Sequence, residues 1–160
     1  MERINKILSN KIFKHYLYEI ESCEKDRIFC KHDMTHFLDV ARIAYIINLE
    51  NNYNMEKDLI YAAALLHDCG KSIQYNYGIP HNIASCDIAK DILSTCDFTE
   101  KEISAIICAI RDHRNSKVIN EFTLSELLYK ADKMSRNCFN CSASKDCNWS
   151  NEKKNLKILI

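Results

Sequence analysis

Six side chains of this 160-residue chain sit where apolar helical patterns begin or end, and all six can bind a divalent cation: His36, His67, Asp68, His81, His113 and Asp132. An unpaired polar group on an apolar face costs about 1 to 3 kcal/mol. One inward-facing histidine is ordinarily a hydrogen-bonded core residue. Several of them, together with a His67-Asp68 doublet that follows an Ala/Leu run, favour a shared ion. Imidazole and carboxylate suit first-row metals, and a cation neutralises buried aspartates. Lys71, three residues past the doublet, is placed either to contact a phosphate oxygen or to be a solvated loop lysine. Arg114 and Arg136 follow His113 and Asp132 closely enough to be phosphate contacts, although an arginine at a helix C-terminus also serves as a dipole partner.

The elements that must position these residues read as helices. The spacing predicts helices from about Asn5 to Glu24 and from about Thr35 to Glu50, the latter with His36, Val40, Ile43, Ala44 and Ile47 on one face. A third, capped by Asn54, presents Leu59, Ala62, Ala63 and Leu66 and ends at His67 and Asp68. Gly70, Gly78 and Pro80, the only glycines and proline of the chain, mark a flexible loop after it. A fourth helix runs from about His81 to Thr95, and the pairs Thr99/Glu102 and Thr123/Glu126 are capping-box signatures for a fifth and a sixth. The fifth carries Ile103, Ile106, Ile107 and Ile110 toward His113, and the sixth carries Leu124, Leu127, Leu128 and Ala131 toward Asp132. Asp33, with His32 before it, is read as the N-cap of the second helix. The expectation is an all-α domain of about six to seven helices over residues 1–136, its core at 30–136. A cysteine-rich tail, 137–160, packs on the same domain and ends in a short basic helix.

Charge is balanced, 22 basic against 22 acidic residues, so no long-range field points to nucleic acid or a membrane surface. No apolar run approaches the roughly 20 residues that span a bilayer, and the start lacks the apolar core of a secretion signal. A cytoplasmic protein is expected. Nine cysteines are an odd number for a disulfide framework, which favours reduced thiols or metal ligands. Cys138, Cys141 and Cys147 supply three thiols in C-x2-C-x5-C spacing. Cys30, six residues before His36, is the expected fourth ligand of a structural Zn²⁺, with Cys23 competing for that place. An iron–sulfur cluster or ordinary free thiols are the alternatives. Cys69, Cys86, Cys96 and Cys108 fall in helical patterns as small hydrophobes.

The segments HDMTHFLDVARIA, AAALLHDCGK and LSELLYKADKMSR resemble the HD phosphohydrolase superfamily over about residues 30 to 136. The resemblance implies a helical bundle with an H…HD…D metal site: His36, four residues before Val40, and not His32; then His67 and Asp68; then Asp132. HDMTH is also similar to HD branches reading HDxxH, which implies, as the alternative to capping, that His32 and Asp33 lie beside the site rather than on the metal. His81 in HNIAS and His113 in RDHR are similar to the branch that includes symmetrical diadenosine tetraphosphatases and cyclic-dinucleotide phosphodiesterases. That implies two ions bridged by Asp68; the alternative is one ion with His81 and His113 binding phosphate directly. Fe, Mn, Zn, Co and Mg are the candidate ions. The implied substrate is a small phosphate ester or anhydride, nucleotide-like, attacked by a metal-activated water. Asp68 orients the nucleophile, and a protonated His113 or Lys71 assists the leaving group. A non-catalytic nucleotide-binding signalling module and a redox or iron sensor are the competing readings, and a homodimer is left open. The tail resembles that of uncharacterised clostridial-type HD proteins and departs from the tetraphosphatase pattern.

Overall fold

Few breakers and well-spaced apolar residues give an all-α fold, with eight α-helices among the described residues: α1 (Glu2–Ser9), α2 (Lys11–Cys23), α3 (Met34–Glu50), α4 (Lys57–Leu66), α5 (Lys71–Tyr77), α6 (His81–Leu93), α7 (Glu100–Asp112) and α8 (Leu124–Met134). The computed structural model describes residues 1–119 and 122–158. One core runs through it, with Phe13, Phe37, Leu65, Leu66, Ile92, Ile106, Ile110 and Leu127 fully buried. Each such side chain contributes roughly 1.5 to 3 kcal/mol of burial free energy. Helix α3 packs on α4 and α8, α7 packs on α6 and α8, and α5 packs on α6 and α2.

Two more helices form than the six expected before the tail, for local reasons. The stretch from Asn5 to Glu24 breaks at Asn10, which leaves the helix with extended backbone. Its side chain then caps α2 by accepting from the backbone N–H of Ile12 (2.8 Å) and Phe13 (3.4 Å). The segment expected to be a flexible loop holds α5, so Lys71 opens a helix and Gly78, at φ 74°, ends it in the left-handed conformation. Asn54 is not a cap. It takes a positive φ of 56°, α4 starts at Lys57, and the preceding turn is fixed by Asn48, whose side chain accepts from Met55 N–H at 3.0 Å.

Both capping signatures hold at the first contact, with Thr99 accepting from Glu102 N–H and Thr123 from Glu126 N–H. At α7 the box is complete; at α8 the Glu126 carboxylate accepts from Phe122 N–H instead of Thr123. The closing basic helix is replaced, up to residue 158, by a 3₁₀ turn at Asn151–Lys153. The tail still engages the bundle: Asn155 Nδ2 donates to the carbonyls of Lys133, Met134 and Arg136, which close α8.

Gly70 controls how closely α5 and α6 approach. A Cβ there would stand 2.6 Å from the carbonyl oxygen of His81 and 2.7 Å from Ser85 N. Its own N–H donates to Ser85 Oγ at 2.8 Å. Gly70→Ala is expected to cost about 1 to 3 kcal/mol of stability in urea unfolding, because backbone atoms must shift. Wild-type stability in that variant would contradict the close approach.

Candidate metal centre

Every one of the six candidate ligands occupies a helix end. His36 is in the first turn of α3, His67 and Asp68 follow α4, His81 opens α6, His113 follows α7, and Asp132 is in the last turn of α8. Five helix termini therefore converge, and with them five of the six histidines, because His32 arrives from the turn before α3.

All five imidazoles are tethered through Nδ1 to a protein acceptor. The partners are Ala64 O for His67 (2.7 Å), Ile110 O for His113 (2.6 Å), Gln74 Oε1 for His81 (2.6 Å), Ser135 Oγ for His36 (3.3 Å) and Glu24 Oε1 for His32 (2.5 Å). A tethered Nδ1–H leaves Nε2 as the lone-pair atom. Those Nε2 atoms surround Asp68. Its Oδ2 lies 3.2 Å from His67, 3.7 Å from His36 and 3.7 Å from His32; its Oδ1 lies 3.1 Å from His81 and 3.7 Å from His113.

The donors fit a divalent metal on two observations. His36 Nε2, His67 Nε2 and Asp68 Oδ1 are buried with no hydrogen-bond partner. His81 Nε2 and His113 Nε2 stand 3.2 Å apart, a repulsive approach for two lone pairs unless a proton or a cation lies between them. Among the described residues, two sets have their ligating atoms mutually within 4.8 Å: His36, His67 and Asp132, and Asp68, His81 and His113.

The electrostatics agree with ligation. Burial lowers the His81 pKa, and burial followed by the neighbouring His67 pushes His113 down to about 3. The neutral form that burial favours for His113 is the one that ligates a cation. For His67, burial lowers the pKa but the Asp68 carboxylate more than offsets it. Asp68 and Asp132 are held well below the usual carboxylate range against burial, chiefly by His67 for Asp68 and by Lys133 for Asp132. A divalent ion would compete with the proton that Asp68 favours on His67.

The expected cations are close by. Lys71 Nζ is 3.9 Å from Asp68 Oδ1, and Arg136 Nη2 is 4.0 Å from Asp132 Oδ2, with its guanidinium 3.8 Å above the Trp149 ring. Arg114 is exposed and close enough to His81 to depress its pKa. Asp33 caps α3, accepting from His36 N–H at 3.0 Å. All nine thiols are free. Cys30, Cys138, Cys141 and Cys147 are not among the described ligand sets. Partial burial and then Cys138 raise the Cys30 thiol pKa, so those two cysteines are neighbours.

Sequence reasoning missed two residues here, Glu24 and Tyr75, and gave His32 a place beside the site only as an alternative. Glu24, buried at the end of α2, accepts from His32 N–H through Oε2 (2.7 Å) and from His32 Nδ1 and Tyr75 Oη through Oε1 (2.5 Å each). The H-x3-H spacing of His32 and His36 was the available signal; nothing local marked Glu24 or Tyr75.

With this geometry in place, the comparisons with known proteins agree: the HD domain matches residues 33–137. The chain belongs to the HD-domain family. A relative from Clostridium beijerinckii, an uncharacterised protein, is 48% identical over 158 residues, 99% of each chain. No solved structure matches.

Burial raises the Glu24 pKa, but His32 and Tyr75 lower it further, from 4.5 to about 2. A depressed carboxylate stabilises the fold in full above about pH 4.5 and loses that contribution as pH falls toward 2. In metal-free protein, Glu24→Gln should lose less stability than wild type between those pH values. Parallel unfolding curves would refute the contribution of this carboxylate.

Proposed function

We propose that the chain hydrolyses a phosphate ester or anhydride of a small, nucleotide-like substrate, using two divalent ions bridged by Asp68. The observation that carries this reading is the Asp68 carboxylate, with one oxygen facing each of two imidazole sets. His36, His67, Asp132 and Asp68 Oδ2 would hold one ion; His81, His113 and Asp68 Oδ1 would hold the other. Bound divalent ions polarise water and phosphoryl oxygens. The histidine-rich donor set favours Mn, Fe, Co or Zn over Mg.

The chain's own residues supply the rest. Lys71 opens α5 beside Asp68, where its ammonium can meet a phosphate oxygen; Arg136, stacked on Trp149, presents a fixed fork at the Asp132 edge, and Arg114 adds a third cation. A net charge of zero means that the anion must be held by such local contacts. Among the described residues, no helix is long and apolar enough to cross a membrane. Nine free thiols suit the reducing cytoplasm, where we place the protein.

The test is metal analysis of protein purified without added metal, followed by a panel of phosphomonoesters, phosphodiesters and dinucleoside polyphosphates with Mn²⁺, Fe²⁺, Co²⁺, Zn²⁺ and Mg²⁺. Turnover is expected. Asp68→Ala should lose both bound metal and activity, and Lys71→Ala should lose about 10- to 100-fold in kcat/KM, the value of one charge-assisted contact. Tight nucleotide binding without turnover across the panel would replace this reading with a signalling module.

A further inference from the structure

His32 stands one residue before the segment that matches the HD domain, and Glu24 lies further outside it. Their arrangement nevertheless repeats that of the expected ligands. His32 Nε2 and His36 Nε2 are each 3.7 Å from the same atom, Asp68 Oδ2, and the two rings meet nearly at right angles, 88°, with centroids 5.6 Å apart. Anchoring the turn before α3 needs only the contact from Glu24 Oε2 to the His32 backbone. The second oxygen, Oε1, does something else: it holds Nδ1 and so aims Nε2 at the cluster. Tyr75, carried by α5, donates to the same Oε1 and holds the carboxylate in place.

Carboxylate, imidazole and metal in this order form the usual outer-sphere arrangement of a ligating histidine, in which the acceptor fixes the tautomer and raises the basicity of the ring. We propose that His32 is a further ligand of the ion on the Oδ2 side of Asp68, oriented by Glu24, which is in turn oriented by Tyr75. The inference rests on the metal-centre reading above. It adds a fourth protein group around His36, His67 and Asp132 besides Asp68, and it ties the ion to α2 and α5.

The test is Co²⁺ binding to the whole chain, followed by competition with a chromogenic chelator and by the visible spectrum of the bound ion. His32→Ala should weaken affinity at least about 10-fold and alter the Co²⁺ spectrum. Glu24→Gln, which keeps the side-chain shape, should weaken it by about 10- to 100-fold, the usual effect of removing an outer-sphere carboxylate. The exposed His15, replaced by Ala, should change neither readout. If His32→Ala disturbs the helical circular dichroism, His32→Gln and Glu24→Gln carry the test. Wild-type affinity and spectrum in folded His32 and Glu24 variants would overturn the ligand assignment and leave the metal centre standing. Wild-type protein that binds no Co²⁺ would overturn both.

Discussion

A carboxylate that is almost fully buried cannot stay ionised without compensation, and Asp68 is such a group. Five imidazoles face it, each with its outer nitrogen already committed to the protein. Much else in the structure follows from keeping those rings in that orientation. Imidazoles at helix ends can use the unpaired carbonyls of the last turn as Nδ1 acceptors, as His67 does with Ala64 and His113 with Ile110. Where no carbonyl is in position, a side chain takes over: Ser135, Gln74 or Glu24.

The periphery of the bundle serves the same end. Gly70 lets α5 lie against α6, which brings Gln74 to His81 and Lys71 to Asp68. The tail satisfies the last carbonyls of α8 through Asn155 and stacks Trp149 under Arg136, so the helix that delivers Asp132 and its neighbouring guanidinium is braced from outside. At the other end, Arg3 of α1 bonds Asp58 and Glu102 and lies over Phe98, pinning α1 near α4 and α7. Such bracing would limit the reorganisation needed to bind an ion between the helix ends.

Helical periodicity made the inner faces legible, and the ligands at their ends came with them: His36 follows the stripe of Val40 and Ala44, and Asp132 follows Leu128 and Ala131. The capping pairs before α7 and α8 were readable because their hydrogen bonds span three residues. The short helix α5 was not, because glycines at both ends imitate a loop and its stability comes from packing on α6 and α2. Asn10 falls inside a helical pattern although its side chain prefers to cap, and Asn54 stands where a cap is expected although it takes a left-handed turn. The place of His32 depends on Glu24, eight residues earlier and on another element, and on Tyr75, 51 residues beyond Glu24. No local pattern encodes such a contact.

The central claim is that buried imidazoles flank Asp68 in order to hold metal. Anomalous diffraction from crystals grown with Mn²⁺ tests it most directly. The account predicts peaks on both sides of the Asp68 carboxylate, one among His36, His67 and Asp132 and the other beside His81 and His113. Density without any anomalous peak inside this cluster, or with Nε2 atoms hydrogen-bonded to protein groups, would contradict it.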